Sequence, residues 1–155
     1  MQKITPFLWF DQNAEEAVEF YTSIFKNSKI NEVSRYGDAG PGPKGTVMVI
    51  RFELDGQEFM ALNGGPQARF TEALSLVVNC KDQEEVDHYW DCLSAGGKTV
   101  QCGWLVDKFG VSWQVVPTVL GKLIQDKDPQ KRERVMKAMM GMVKLDVDGL
   151  ERAAA

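Results

Sequence analysis

Apolar residues change their spacing once along the first twenty-odd positions of the chain. From Ile4 to Phe10 they are closely packed and include Phe7, Trp9 and Phe10, the composition of a short strand. From Ala17 they recur at Phe20, Tyr21 and Ile24, the spacing of one helical face, and Asn13 is placed to cap that helix. The stretch beginning near Leu74 repeats these events. A strand is followed by Asp82 as the cap, by Val86, Tyr89, Trp90 and Leu93 on one helical face, and by Gly96-Gly97 as the stop. One fixed offset lays Asn13 on Asp82, Glu15-Glu16 on Glu84-Glu85, and the first apolar stripe on the second, so the chain contains an internal repeat.

After each helix the pattern turns to strands: residues 30–36, 46–53 and 58–62 in the first half, then 99–101, 104–106 and 111–116 in the second. Asp55-Gly56 and Phe109-Gly110 supply hairpin turns. Each half therefore reads β-α-β-β-β. The predicted fold class is α+β, with duplicated modules curling into an open, barrel-like cup and helices at the C-terminus. The expected organisation is one domain over 1–155, with module one at 3–66, module two at 72–117 and a helical extension at 118–152. Between Gly37 and Gly45 the run GDAGPGPKG suits neither helix nor strand; it is either a flap over the cavity or a solvated connector. In the extension, Pro117 to Asp126 reads as a short helix. Asp128-Pro129 caps a second one, whose Val135, Met136, Met139, Met140 and Val143 form either packing surface or an adaptable binding face.

Composition narrows the function classes. The 155 residues are 44% hydrophobic and 26% charged, as in an ordinary globular protein, and the net charge of −4 with a pI near 5.1 argues against nucleic acid as a partner. No leader-like or spanning apolar segment is seen, so a cytoplasmic location with no membrane partner is expected. Cys80, Cys92 and Cys102 show no paired spacing and read as reduced thiols. The single histidine, His88, falls between stripe residues on the second helix and is expected to face solvent, which leaves little support for a Ser-His or Cys-His nucleophile. Asp11-Gln12-Asn13 after the first strand is not the glycine-rich turn of a doubly wound S-adenosylmethionine site.

Four phrases, ITPFLWFDQNAEEAVEFYTSIF, FELDGQEFMALNGGP, CGWLVDKFGVSWQVVP and RVMKAMMGMVKLDV, together resemble the PhnB-like branch of the vicinal oxygen chelate superfamily. Its members are often labelled 3-demethylubiquinone-9 3-methyltransferase-like or glyoxalase/bleomycin resistance/dioxygenase-like. The resemblance runs from about Ile4 to Leu150 and implies a paired-module fold and a homodimer. It also implies that divalent-metal ligands, where present, come from the first and last strand of each module. Carried onto this chain, those places fall at Pro6, Met60, Ser75 and Gln114, which offer no carboxylate or imidazole. Neither metal nor another cofactor is therefore expected.

Gln114 is left to contact an organic ligand, to satisfy Ser75, or to be hydrogen-bonded internally. Strand alternation places Ser112 and Gln114 on the cavity side and Trp113 and Val115 against the helices, and puts Leu8 with Pro6 on the cavity side of the first strand. Cys102, beside Gly103 and Trp104, is either a reactive thiol or a small packed residue. The leading expectation is a small, largely apolar or aromatic ligand held in the cup of the two modules. Leu8, Met60, Leu62, Cys102 and Trp104 would supply walls, and Ser75, Ser112 and Gln114 polar contacts. Two other readings stay open: a glyoxalase-, dioxygenase- or methyltransferase-related enzyme, and a drug-sequestering resistance protein.

Overall fold

The computed structural model describes residues 2–155. The chain divides into two compact units, one reaching to Phe70 and the other spanning Thr71–Ala155. In the first, β1 (Phe7–Phe10) leads to α1 (Ala14–Ile24), then to β2 (Lys29–Arg35), β3 (Val47–Leu54) and β4 (Gln57–Asn63). The second repeats this with β5 (Ser75–Cys80), α2 (Gln83–Ser94), β6 (Lys98–Thr99), β7 (Trp104–Val106) and β8 (Ser112–Pro117). It adds α3 (Thr118–Ile124), α4 (Pro129–Met140) and α5 (Val147–Ala154). Each unit builds one four-stranded mixed sheet in the same order, β1-β4-β3-β2 and β5-β8-β7-β6, with the first and last strands parallel and the rest antiparallel. Neither sheet closes on itself. The α+β class and the duplicated unit are as the sequence predicts.

The helix packs on one face of each sheet. In the first unit Ala17, Val18, Tyr21 and Ile24 of α1 and Leu8, Phe10, Ile50, Phe52 and Ala61 of the strands are buried. Each large side chain so covered contributes roughly 1.5–3 kcal/mol. In the second unit Val86, Trp90 and Leu93 of α2 and Val78, Leu105, Trp113 and Val115 of the sheet are buried. The β3–β4 hairpin turns at Asp55-Gly56, both with positive φ (49° and 80°), the backbone that the primed two-residue turns need and that Gly adopts at no steric cost.

The helix caps differ between the units. Asp82 accepts from Glu85 N at 2.9 Å, as its position predicts, and Asp128 accepts from Gln130 N at 3.0 Å with Pro129 at the first helical position. Asn13 makes no side-chain cap. Asn63, at the end of β4, replaces it: its Oδ1 accepts from Ala14 N at 2.9 Å, and its Nδ2 donates to Glu15 Oε1 at 2.7 Å and to Val47 O at 3.1 Å.

The C-terminal helices form a core of their own around Leu120, Val135, Leu145 and Leu150. Gln83 of α2 ties them to the rest of the second unit, donating to Leu145 O at 3.1 Å and accepting from Val147 N at 2.7 Å. The methionine run does not form a single face. Val135 is buried and Met139 packs on this core, whereas Met136, Met140 and Val143 are exposed, and Val143 lies beyond the end of α4. The expected strand over 99–101 is shorter than predicted. β6 ends at Thr99, and Gln101–Gly103 form a 3-10 turn.

Candidate functional site

Strand pairing fixes which expected residues share a face. In the second unit Ser75 pairs with Ser112, Val77 with Gln114, and Gln114 with Trp104, so Ser75, Val77, Trp104, Ser112 and Gln114 lie on the sheet face turned away from α2. Trp113 and Val115, 3% and 0% exposed, lie on the helix face, as alternation predicts. On the open face Gln114 Nε2 donates to Ser75 Oγ at 3.0 Å. That bond uses one amide proton and one hydroxyl lone pair. The amide oxygen of Gln114 and the hydroxyl proton of Ser75 are the groups with which such a pair addresses a further polar atom.

In the first unit Phe7 pairs with Met60 and Trp9 with Leu62, while Arg51 and Val49 stand opposite Met60 and Leu62. The open face there is aromatic and apolar toward β1 and charged farther along β3 and β4, where Glu53 pairs with Glu58 and Arg51 Nη1 lies 3.7 Å from Glu58 Oε1. Phe7 and Trp9 are 49% and 37% exposed. The indole of Trp9 is fixed by a 3.0 Å bond from Nε1 to Gly65 O.

Leu8 is a correction. It is buried on the helix-covered face beside Ala61, opposite to Met60 and Leu62, and Phe7 and Trp9 occupy the open side in its place. The expected register of Pro6 fails with it. Leu8 and Phe10 are buried as Val78 and Cys80 are, so the two first strands superpose one residue out of step with the two helices. The three-residue link Asp11-Gln12-Asn13 against Lys81-Asp82 accounts for the step. Met60 and Gln114 remain equivalent, paired to Phe7 and Val77 respectively.

Cys102 is not on a strand. It sits in the 3-10 turn with φ 61°, its N–H donating to Met142 O at 2.8 Å and its Sγ 3.8 Å from Met140 Sδ. The adjoining Gly103 does permit a close approach, but Leu145 and the carbonyl of Val115 make it, and Gly103 N donates to Val143 O at 2.7 Å. The C-terminal segment of the same chain fills the space assigned to a ligand. His88 is exposed on α2, with its Nδ1 3.9 Å from Cys92 Sγ. Cys80 is buried, and burial, reinforced by Glu85 and Asp82, pushes its thiol up to about 12, the state of an inert packed residue.

The donor set left at the metal places does not suit a hard dication. Ser75 and Gln114 offer only neutral oxygens, of which Ser75 Oγ already accepts from Gln114 Nε2, Met60 offers a thioether, and the residue opposite Met60 is Arg51. Among the described residues there is no group of three or more His, Cys, Asp or Glu side chains able to hold a metal. No helix among them is long and apolar enough to cross a membrane.

Sequence reasoning misses two features. Asp107, 3% exposed, accepts from Phe109 N (2.8 Å), Val111 N (3.1 Å) and Trp113 Nε1 (2.8 Å), and so holds the turn into β8 and thereby Gln114. An Asp two residues before an aromatic-Gly turn is the available signal. The first unit also contains a cavity of about 430 Å³, bounded by the entry to α1, the turn at 41–43 and the loop at 63–67. The 37–45 segment is folded on the Tyr36 ring rather than extended. A Cβ on Gly40 would come within 2.6 Å of Tyr36 Cδ1, and one on Gly42 would collide with the other edge. Tyr36 also exchanges backbone bonds with Thr46 and Gly45 at 2.9 and 2.8 Å, and its hydroxyl donates to Asn63 O.

The sequence profile of the family described as 3-demethylubiquinone-9 3-methyltransferase matches residues 2–116. A putative 3-demethylubiquinone-9 3-methyltransferase, a PhnB protein from Bacillus cereus, is similar at 44% identity over 75% of this chain and 99% of its own, with a TM-score of 0.69. A Pseudomonas aeruginosa protein is similar at 23% identity and TM-score 0.63, over 76% of this chain and 98% of its own. The fosfomycin resistance protein FosX of Listeria monocytogenes, solved with Mn(II) and sulfate, shares the fold at 18% identity and TM-score 0.51, over 76% and 91% of the two chains. No curated protein matches the chain.

Proposed function

The chain belongs to the 3-demethylubiquinone-9 3-methyltransferase-like (PhnB) family, and on that premise we propose that it binds a small, largely apolar or aromatic organic molecule without a metal. Ser75 and Gln114 orient the polar group of that molecule. The observation that carries this reading is the 3.0 Å bond from Gln114 to Ser75 on the open face of the second sheet. It sets a donor and an acceptor side by side on the face that also carries Trp104, the cross-strand partner of Gln114, where a ligand hydroxyl or carbonyl would gain a directional contact and an aromatic neighbour. Ser112 shares that face but is only 2% exposed, so Ser75 and Gln114 carry the polar contact, and Met60 and Leu62 present apolar side chains on the open face of the first sheet. Leu8 and Cys102 take no part, because one is buried under α1 and the other is engaged by the C-terminal segment.

Neither a methyltransferase nor a dioxygenase role is assigned to any side chain. The link between β1 and α1 is Asp11-Gln12-Asn13, without the close-approach glycines that a nucleotide-like cofactor uses. The protein is proposed to be cytoplasmic and homodimeric. Ile30 and Val33, 46% and 44% exposed on the edge strand β2, support association through that edge. A fragment collection of phenols, aromatic ketones and carboxamides, screened by thermal shift and mapped by NMR on labelled protein, tests the reading. Hits should move the amides of Ser75, Trp104 and Gln114 and lose affinity in Ser75→Ala and Gln114→Leu. Hits that map elsewhere and ignore both substitutions would count against it.

A further inference from the structure

The first unit holds a cavity that none of the residues assigned to the proposed ligand lines. Its volume, about 430 Å³, is within the range of small-molecule sites. Its charge is one-sided. Asp11 and Glu15 stand at its edge, where β1 passes into α1, and the described lining contains no Lys, Arg or His. The neighbouring cations are engaged elsewhere: Lys44 Nζ lies 3.2 Å from Asp38, and Arg35 donates to Gly45 O at 3.1 Å. Glu15 is held rather than neutralised, since Oε1 accepts from Asn63 Nδ2 at 2.7 Å and an amide carries no charge.

The walls are prearranged. Asn63 is fixed by its cap on α1, and Tyr36 by its bond to Asn63 O and by the glycines packed on its ring. Pro41, Pro43, Val47 and Pro66, with the Tyr36 ring, supply the apolar part of the lining. A hard metal ion needs six or more oxygens converging at roughly 2.0–2.6 Å, whereas two carboxylates at the edge of a space this large are suited to a bulkier cation. We propose that this cavity is a second binding site, for a small organic ammonium ion whose charged head meets Asp11 and Glu15 and whose carbon frame lies against Pro41, Pro43 and Val47. It is independent of the Ser75–Gln114 reading and of any reaction of the protein.

Benzylamine, benzyl alcohol and benzoate carry one ring with charge +1, 0 and −1, and titrating each into labelled full-length protein separates charge from hydrophobic contact. Benzylamine should shift the amides of Gly42, Thr46, Gly64 and Gly65 in a saturable manner. Benzyl alcohol should bind the same place about fivefold more weakly or worse, the equivalent of one screened ion pair, and benzoate not at all. Asp11→Asn with Glu15→Gln should reduce the preference for the amine to near unity. The carboxamide oxygen introduced by Glu15→Gln can still accept from Asn63, so the rest of the spectrum should hold. The proposal is overturned if the alcohol matches the amine, if the double variant keeps the preference, if none of the three probes moves these amides, or if calcium chloride moves them more than benzylamine does. The amides of Ser75, Trp104 and Gln114 report on the other site in the same spectra, so the two readings fail separately.

Discussion

Replacing Asp107 by Asn deletes a single charge, yet it should be among the most costly polar changes in the second unit. The carboxylate is 3% exposed and accepts three hydrogen bonds, two on Oδ1 from Phe109 N and Val111 N and one on Oδ2 from the Trp113 indole. Asn has one acceptor oxygen. Keeping it over the two backbone N–H groups turns its NH₂ toward the indole N–H, donor against donor. A charge-assisted bond to a buried donor is thereby lost, about 1.5–3 kcal/mol, and the two remaining bonds become neutral, about 0.5 kcal/mol each. The sum is about 2.5–4 kcal/mol, a fall of roughly 5–15 °C in Tm for a chain of this length. Guanidinium unfolding followed by far-UV circular dichroism at pH 7 measures it, with Trp113→Phe closing a double-mutant cycle. Phe removes the opposed donor, so Asp107→Asn in that background should cost only about 1 kcal/mol, a coupling near 2 kcal/mol. A cost below about 0.5 kcal/mol in the wild-type background, or no coupling to Trp113, would refute the assignment of Asp107 as the anchor of the β8 turn.

Three further outcomes are expected. Asn63→Ala should lower stability by about 1–2 kcal/mol in urea unfolding while Asn13→Ala changes it by less than about 0.5, because the cap on Ala14 comes from Asn63; the reverse order would contradict the capping described. Native protein treated with iodoacetamide at pH 8 should be alkylated at Cys92 and Cys102 before Cys80, whose thiol burial pushes up to about 12, and peptide mass spectrometry reads the order. Asp87 is held below the usual carboxylate range by its bond from Lys144 at 2.8 Å and then by Gln83, so the stabilisation is present at neutral pH and lost as pH falls through the depressed folded value. Lys144→Met should therefore differ from wild type in midpoint at pH 7 and converge with it only as pH falls through the depressed Asp87 value; a difference that persists once Asp87 is protonated would assign the effect to packing.

Much of this architecture is legible in the sequence because it rests on short-range signals. The apolar stripes of α1 and α2, the Asp55-Gly56 turn, and the Asp82 and Asp128 caps are each specified within a few residues, and the structure keeps all of them. What the sequence conceals depends on partners distant in the chain. Asn13 has the right identity for a cap, but Asn63 reaches the same N–H from the end of β4. Leu8 lies on the opposite face from the one expected because the offset that relates the helices does not carry through a link that is one residue longer in the first unit. The final helix, α5, is only eight residues long, with Leu150 as its one fully buried side chain and a glycine at 149, so its amphipathic pattern is too short to stand out from a polar tail. Gln114 and Ser75 stand out individually in the sequence, and the parallel β5–β8 register brings them within hydrogen-bonding distance.

The measurement that bears most directly on the central proposal is native mass spectrometry of the full chain purified without chelator, paired with elemental analysis of the same sample. The expected result is an adduct of small organic mass, retained by wild type and depleted in Ser75→Ala with Gln114→Leu, and divalent metal far below one per chain. A stoichiometric dication, or an adduct indifferent to both substitutions, would contradict it.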